Sequence, residues 1–259
     1  MIKWALRGLI TPEAKWLVLI FMLFTPLQAW AGVSLQSGPE KVLMIELYTS
    51  EGCSSCPRAD EQFSAARYSK LLWKKFVPAA FHVDYWDRLG WVDKLSDPAN
   101  TERQYQFAQK WNLKRVYTPM FVKDGQEFLG NPLKLFEVTP TAGNAGMMDA
   151  MQVNRVDFEV RYKPPAGTGQ WRIHYALLGS NIHTHVKSGE NNKRDLIHNF
   201  AVLSHGSQVV ETRDGVAWLP VRFPDKLPGI QKSVVFWVTG PGDLEPVQAL
   251  GGDLSKEDS

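Results

Sequence analysis

From residue 153 onward the apolar residues of this chain fall on every second position, and this spacing limits its fold more than any other feature. Val156, Phe158, Val160 and Tyr162 alternate with Asp157, Glu159 and Arg161, and Trp171, Ile173, Tyr175 and Leu177 repeat the pattern. A period of two sends alternate side chains to opposite faces of a strand, so this half reads as half-buried β-structure. Further strands are expected over 216–223 and 233–238. Clusters such as Pro164-Pro165-Ala166-Gly167 would form the turns, as in a β-sandwich. Before residue 140 the pattern differs. Apolar runs at 42–48, 77–83, 120–122 and 127–129 are interrupted by helical stretches beginning near Pro57 and Asp97, the order of an α/β layer. The expectation is an α/β domain over 40–138, with a mixed sheet and flanking helices, then an all-β sandwich-like domain over 150–250. The segment Thr139–Asn144 reads as the linker.

The first 31 residues read differently again. Lys3, Arg7 and Lys15 precede an apolar run from Trp16 to Phe24, Pro26 breaks it, and Ala29-Trp30-Ala31 follows. This is the layout of a secretory signal peptide over 1–31. The run is too short to span a bilayer, which needs about 20 apolar residues. An uncleaved anchor is the alternative, and it would be the one membrane attachment expected. Cleavage after Ala31 leaves 26 basic against 26 acidic residues. A neutral chain without basic clusters offers no electrostatic footprint for nucleic acid.

The chain has two cysteines, in Gly52-Cys53-Ser54-Ser55-Cys56-Pro57. Cysteines this close can exchange disulfides, bind a metal or form an inert clip. A C-x-x-C bridge closes a loop of a few residues and removes little unfolded-chain entropy, so it is a poor staple. As a redox centre the spacing is apt, because Cys56 can attack a mixed disulfide at Cys53 without large motion. The preceding run reads as a buried strand, and 57–68 as a helix that tolerates Pro57 in its first turn. Cys53 then lies at a helix N-terminus, where free N–H groups and the dipole favour thiolate. Its sulfur is expected near solvent, with Cys56 one turn further in and shielded.

Four landmarks over roughly 40–130 resemble the thioredoxin fold: Ile45-Glu46-Leu47, the Cys53–Cys56 motif, the run ending in Val83-Asp84, and "KWNLKRVYTPMFV". "ELYTSEGCSSCPRADE", "FHVDYWDRLGWVD", "TERQYQFAQ" and "SGENNKRDLIHN" are similar to the secreted thioredoxin-like family catalogued as domain of unknown function 1223. The resemblance implies a thioredoxin-like α/β domain, a cis peptide at Thr118-Pro119, and Thr118 beside the bound substrate strand. It also places Glu46 near the buried acid of thioredoxin, one residue out of register. Asn112 would end the second helix and Asp124-Gly125 would form a hairpin turn.

Within "HVDYWDRLGW", His82, Asp84 and Asp87 are candidates to relay the proton that Cys56 must lose, with Tyr85 or Trp86 as a substrate wall. The plainer alternative packs Trp86 and Trp91 under the loop and uses Asp84 and Asp87 as caps. His174, His183, His185, His198 and His205 crowd the second half; His183 and His185 share one strand face, a spacing able to chelate copper or zinc. Gly189-Glu190-Asn191-Asn192 reads most simply as a turn. The reading reached is an exported, periplasmic thiol–disulfide oxidoreductase with Cys53 as nucleophile, Cys56 as resolving thiol and Pro119 beside them. Its partners would be protein thiol or disulfide clients and an unidentified redox partner, with no cofactor and no metal. The alternatives are a metal-delivery protein using both cysteines and a histidine such as His82, and a binding module with a frozen disulfide.

Overall fold

The structure, a computed structural model, describes residues 32–138, 143–225 and 230–254. The expected leader, 1–31, lies outside them, as does most of the expected linker. The strands are β1 (Ser34–Gln36), β2 (Leu43–Thr49), β3 (Phe76–His82), β4 (Met120–Lys123), β5 (Gln126–Glu127), β6 (Met147–Gln152) and β7 (Asp157–Lys163). They continue with β8 (Gln170–Ser180), β9 (Ile182–His185), β10 (Asp195–His198), β11 (Ala201–Glu211), β12 (Ala217–Arg222), β13 (Gln231–Thr239) and β14 (Gln248–Asp253). Among the described residues two α-helices form, α1 (Cys56–Ser64) and α2 (Pro98–Lys110).

The expected architecture, a helix-flanked thioredoxin-like α/β domain followed by a separate sandwich, is corrected by the sheet order. One eight-stranded mixed sheet runs β14-β13-β8-β11-β3-β2-β4-β5 and takes strands from both sides of residue 140. The junction is a parallel pairing of β11 on β3 at Ala201 and Ala80, sealed by the Ala80 N–H donating to the Phe200 carbonyl at 2.8 Å. Every residue of β2 and β3 is buried. Strands covered on both faces read as continuous apolar runs, and such a run does not reveal which strand flanks it. A second sheet, β1-β6-β7-β12, lays Met148, Phe158, Val160, Leu219 and Val221 against Ile173, Leu177, Val234 and Phe236 of the large sheet. The alternating half does therefore bury one face, against strands it shares with the first half.

Phe81 and Trp237 of the sheet share one buried cluster with Phe63 of α1 and Phe107 of α2. The two helices cover opposite faces: α2 reaches Phe81 through Arg103, while Asp60 of α1 reaches His198 beside His82. Asp97 caps α2, its Oδ1 accepting from the Ala99 N–H at 2.8 Å, and Asn112 ends the segment with φ 54°. Asp124 and Gly125, with φ 54° and 80°, make the β4–β5 turn. A Cβ at Gly125 would meet Glu245 Cα at 2.7 Å, so only glycine fits there. Glu46 points into the core and is clamped by Arg103. Nε and Nη2 donate to its two oxygens at 2.8 and 2.9 Å, and the Tyr48 hydroxyl donates at 2.9 Å.

Candidate functional site

The chain leaves β2 through Ser50, Glu51 and Gly52 and enters α1 at Cys56. Gly52 sits where a Cβ would come within 3.0 Å of Trp86 Cβ. Backbone turns close the loop: Cys53 N–H donates to Ser50 O and Cys56 N–H to Cys53 O, each at 3.2 Å. Cys53 and Cys56 form a disulfide across a Cα–Cα distance of 5.4 Å. Cys53 Sγ lies 3.8 Å from the Thr118 carbonyl oxygen, and the Ser55 hydroxyl is 3.3 Å from the same sulfur. Thr118-Pro119 is cis. Trp86 Nε1 donates to Thr118 Oγ1 at 2.8 Å, so Trp86, Thr118 and Pro119 are gathered beside the cysteines.

The other residues singled out from sequence go elsewhere. The Thr101 hydroxyl donates to Asp84 Oδ1 at 2.6 Å, tying Asp84 to α2. Asp87 accepts from Asp93 N and Ser96 Oγ, the capping role of the plainer alternative. Tyr85 is packed against the core, and burial raises its hydroxyl to about 12. Glu46 is held by Arg103 and Tyr48 within the core. His183 and His185 are exposed; His183 Nε2 contacts Asn181 Oδ1 and His185 Nδ1 contacts Asp195 Oδ1. His174 is buried and stacked on Trp237, and burial pushes it well below the usual histidine range.

The expectation of one exposed and one shielded sulfur is corrected. Cys53 and Cys56 are each 1% exposed. The cover comes from the β9–β10 connection. Asn191, itself 1% exposed, donates through Nδ2 to the carbonyls of Glu51 and Cys53, both at 2.8 Å. The neighbouring Glu190 carboxylate accepts from the Ser54 N–H at 3.2 Å. The 189–192 turn is thus a lid on the C-x-x-C loop.

Beneath the loop lies a buried polar cluster that sequence reasoning largely missed. His198 Nδ1 is 2.8 Å from Asp60 Oδ2, and its Nε2 is 3.1 Å from Glu51 Oε1. Burial alone would push His198 down. Its hydrogen bonds to Asp60 and Glu51, with their charges, outweigh that and raise it to about 10. The His82 ring meets the His198 ring edge-on at 4.8 Å and holds Asp93 Oδ2 at 2.6 Å through Nδ1. Burial pushes Asp93 up, but the His82 charge and hydrogen bonds prevail and hold it below the usual carboxylate range. Trp91 Nε1 donates to Glu51 Oε2 at 2.7 Å, and the Glu51 N–H donates to Asp93 Oδ2 at 2.9 Å. Asp60 sits four residues after Cys56 on α1, a spacing that gives both the same face. That spacing, and the position of Glu51 two residues before Cys53, were the signals available in sequence.

The eight-stranded mixed sheet carries a disulfide loop at the N-terminus of the first helix, and on that fold the chain can be set beside known proteins. It matches the family described as "Protein of unknown function (DUF1223)" over residues 44–239, and it belongs to that family. Protein AGR_C_4864 from Agrobacterium tumefaciens has a similar crystal structure. It is 24% identical with a TM-score of 0.59, across 86% of this chain and 98% of that one. HBP35 of Porphyromonas gingivalis is similar at 17% identity and a TM-score of 0.60, over 84% of this chain and 76% of that one. At these identities the likeness is one of fold. No curated protein matches.

Proposed function

We propose that this protein is a thiol–disulfide oxidoreductase that acts, after export to the periplasm, on protein thiols or disulfides by thioredoxin-type exchange. The observation that carries the reading is the Cys53–Cys56 pair at the start of α1, with Cys53 Sγ 3.8 Å from the Thr118 carbonyl. A backbone acceptor beside the sulfur supports pairing with an extended client strand. From the oxidised form, a client thiolate attacks Cys53 Sγ, forming a mixed disulfide and releasing Cys56 as thiolate. A second client thiolate attacks the client sulfur of that bond, leaving an oxidised client and, after protonation, two protein thiols. The reducing direction is the reverse: Cys53 thiolate attacks a client disulfide, and Cys56 then attacks Cys53 Sγ and frees the client.

A second reading, a binding module whose disulfide is a fixed clip, is favoured by one observation: both sulfurs are buried. Trapping separates the two. Cys56→Ser should hold clients as mixed disulfides that Cys56 can no longer resolve, visible on non-reducing gels, and Cys53→Ser should hold none. No trapped species with Cys56→Ser, together with a disulfide that resists dithiothreitol in the native state, would leave the clip as the better account.

A further inference from the structure

Three carboxyl groups, Glu51, Asp60 and Asp93, are 1%, 7% and 1% exposed, and they are grouped around two imidazoles, those of His82 and His198, exposed by 0% and 2%. Burying a charge without a partner costs several kcal/mol, on the order of what a whole domain has to spare. Three carboxyl groups around two imidazole rings make a buried site that favours a cation. Arg58 and Arg67, on the rim of the adjoining groove, are solvent-exposed. The donor atoms show a second irregularity. Asp93 fixes His82 through Nδ1, while the fully buried His82 Nε2 has no partner among the described residues. A buried ring nitrogen without a hydrogen bond is costly, and a carboxylate on the opposite nitrogen is the arrangement that orients a histidine toward a metal ion. Glu51 on Nε2 of His198 repeats that arrangement, which turns His198 Nδ1 toward Asp60. One ligand atom from each of Asp60, His82 and His198 already lies within 4.8 Å of the others.

We propose that Asp60, His82 Nε2 and His198 Nδ1 bind a divalent cation of the zinc class beneath the C-x-x-C loop, with Asp93 and Glu51 orienting the two imidazoles. Two imidazoles and a carboxylate suit a borderline ion of this kind, and such sites hold their ligand atoms about 2 Å from the metal. A divalent ion takes up the Nε2 lone pair and, bound to two neutral imidazoles, sets two positive charges among the three carboxyl groups. Entry is open on one side, because Asp60 and His198 form part of the wall of a groove of about 830 Å³ between α1 and β10. Neither cysteine takes part, so the site stands whether or not the dithiol turns over.

The test uses the full chain purified with its disulfide closed, titrated with zinc chloride against a chromogenic chelator. One equivalent should bind, and binding should survive in Cys53→Ser/Cys56→Ser. His82→Gln should weaken it by about a hundredfold or more, and Asp93→Asn by about tenfold to a hundredfold, with circular dichroism unchanged. Should His82→Gln fail to fold, cobalt(II) added to the oxidised wild type gives an independent reading. Weak d–d bands without a thiolate charge-transfer band support the nitrogen–oxygen site. The proposal is overturned by absent stoichiometric uptake, by uptake that disappears with the cysteines, or by affinity that ignores His82 and Asp93.

Discussion

Asn191 does more for the site than its neighbours in the turn. Its two side-chain N–H bonds to Glu51 O and Cys53 O, beside the Glu190–Ser54 contact, tie the turn to the C-x-x-C loop. Alanine there takes the side-chain donor from the buried Glu51 carbonyl and leaves the Cys53 carbonyl with the Cys56 N–H alone. Asn191→Ala should lower stability by about 1–3 kcal/mol, measured by urea unfolding. The same variant should let dithiothreitol reduce Cys53–Cys56 faster in the native state, followed by alkylation and mass spectrometry. Unchanged reduction would show that the lid does not control access. Asn191 was barely legible in sequence. A polar residue beside glycine reads as a turn, and nothing in its spacing says which buried carbonyls it meets. Cys53 and Trp86 stood out because they follow strand ends in an order that sequence displays, and Thr118, which meets both, stood out through the resemblance to the thioredoxin fold. The cluster below them was read piecemeal: His82 and His198 stood out, but Asp60 and Glu51 were not singled out.

At the scale of elements, α2 is pinned to the sheet by the Glu46–Arg103 pair. The Arg103 guanidinium lies 5.5, 5.3 and 5.0 Å from the Phe81, Phe107 and Trp237 ring centroids, which ties β2, β3, α2 and β13 together. Removing one partner strands the other charge in the core. Arg103→Met should therefore cost about 3–5 kcal/mol, and the double change Glu46→Leu/Arg103→Met should recover most of that loss in a chemical melt. Additive losses would show that the pair is not coupled. The Asp97 cap, Asn112, and the Asp124-Gly125 turn were legible because local backbone chemistry fixes them. The β11–β3 pairing was not, because it joins segments far apart in sequence and leaves no periodic mark on either.

For the whole molecule, the continuous sheet implies that neither half folds alone. A fragment of residues 40–138 would expose the β3 edge normally covered by β11, and it should show no cooperative thermal transition. A sharp melt from that fragment would restore the two-domain expectation. Acid should also loosen the assembly. Burial, then the Arg103 charge, push His205 down to about 4, and burial pushes His174 well below 6.5. Both are neutral when folded, so an unfolded chain takes up their protons first. The stability they contribute is complete above pH 6.5 and is lost as pH falls toward 4, by about 2–3 kcal/mol for His205. His205→Gln should flatten the slope of unfolding free energy against pH over that window, and an unchanged slope would assign it to other groups.

The lid also has a history within each molecule. Cys53 and the side chain that roofs it are 138 positions apart, so during synthesis the thiols emerge well before Asn191 exists to cover them. An oxidant meeting the nascent chain finds both sulfurs bare, whereas one meeting the finished protein finds them shut away. The two sulfurs are then reached most easily before the 189–192 turn closes over their loop.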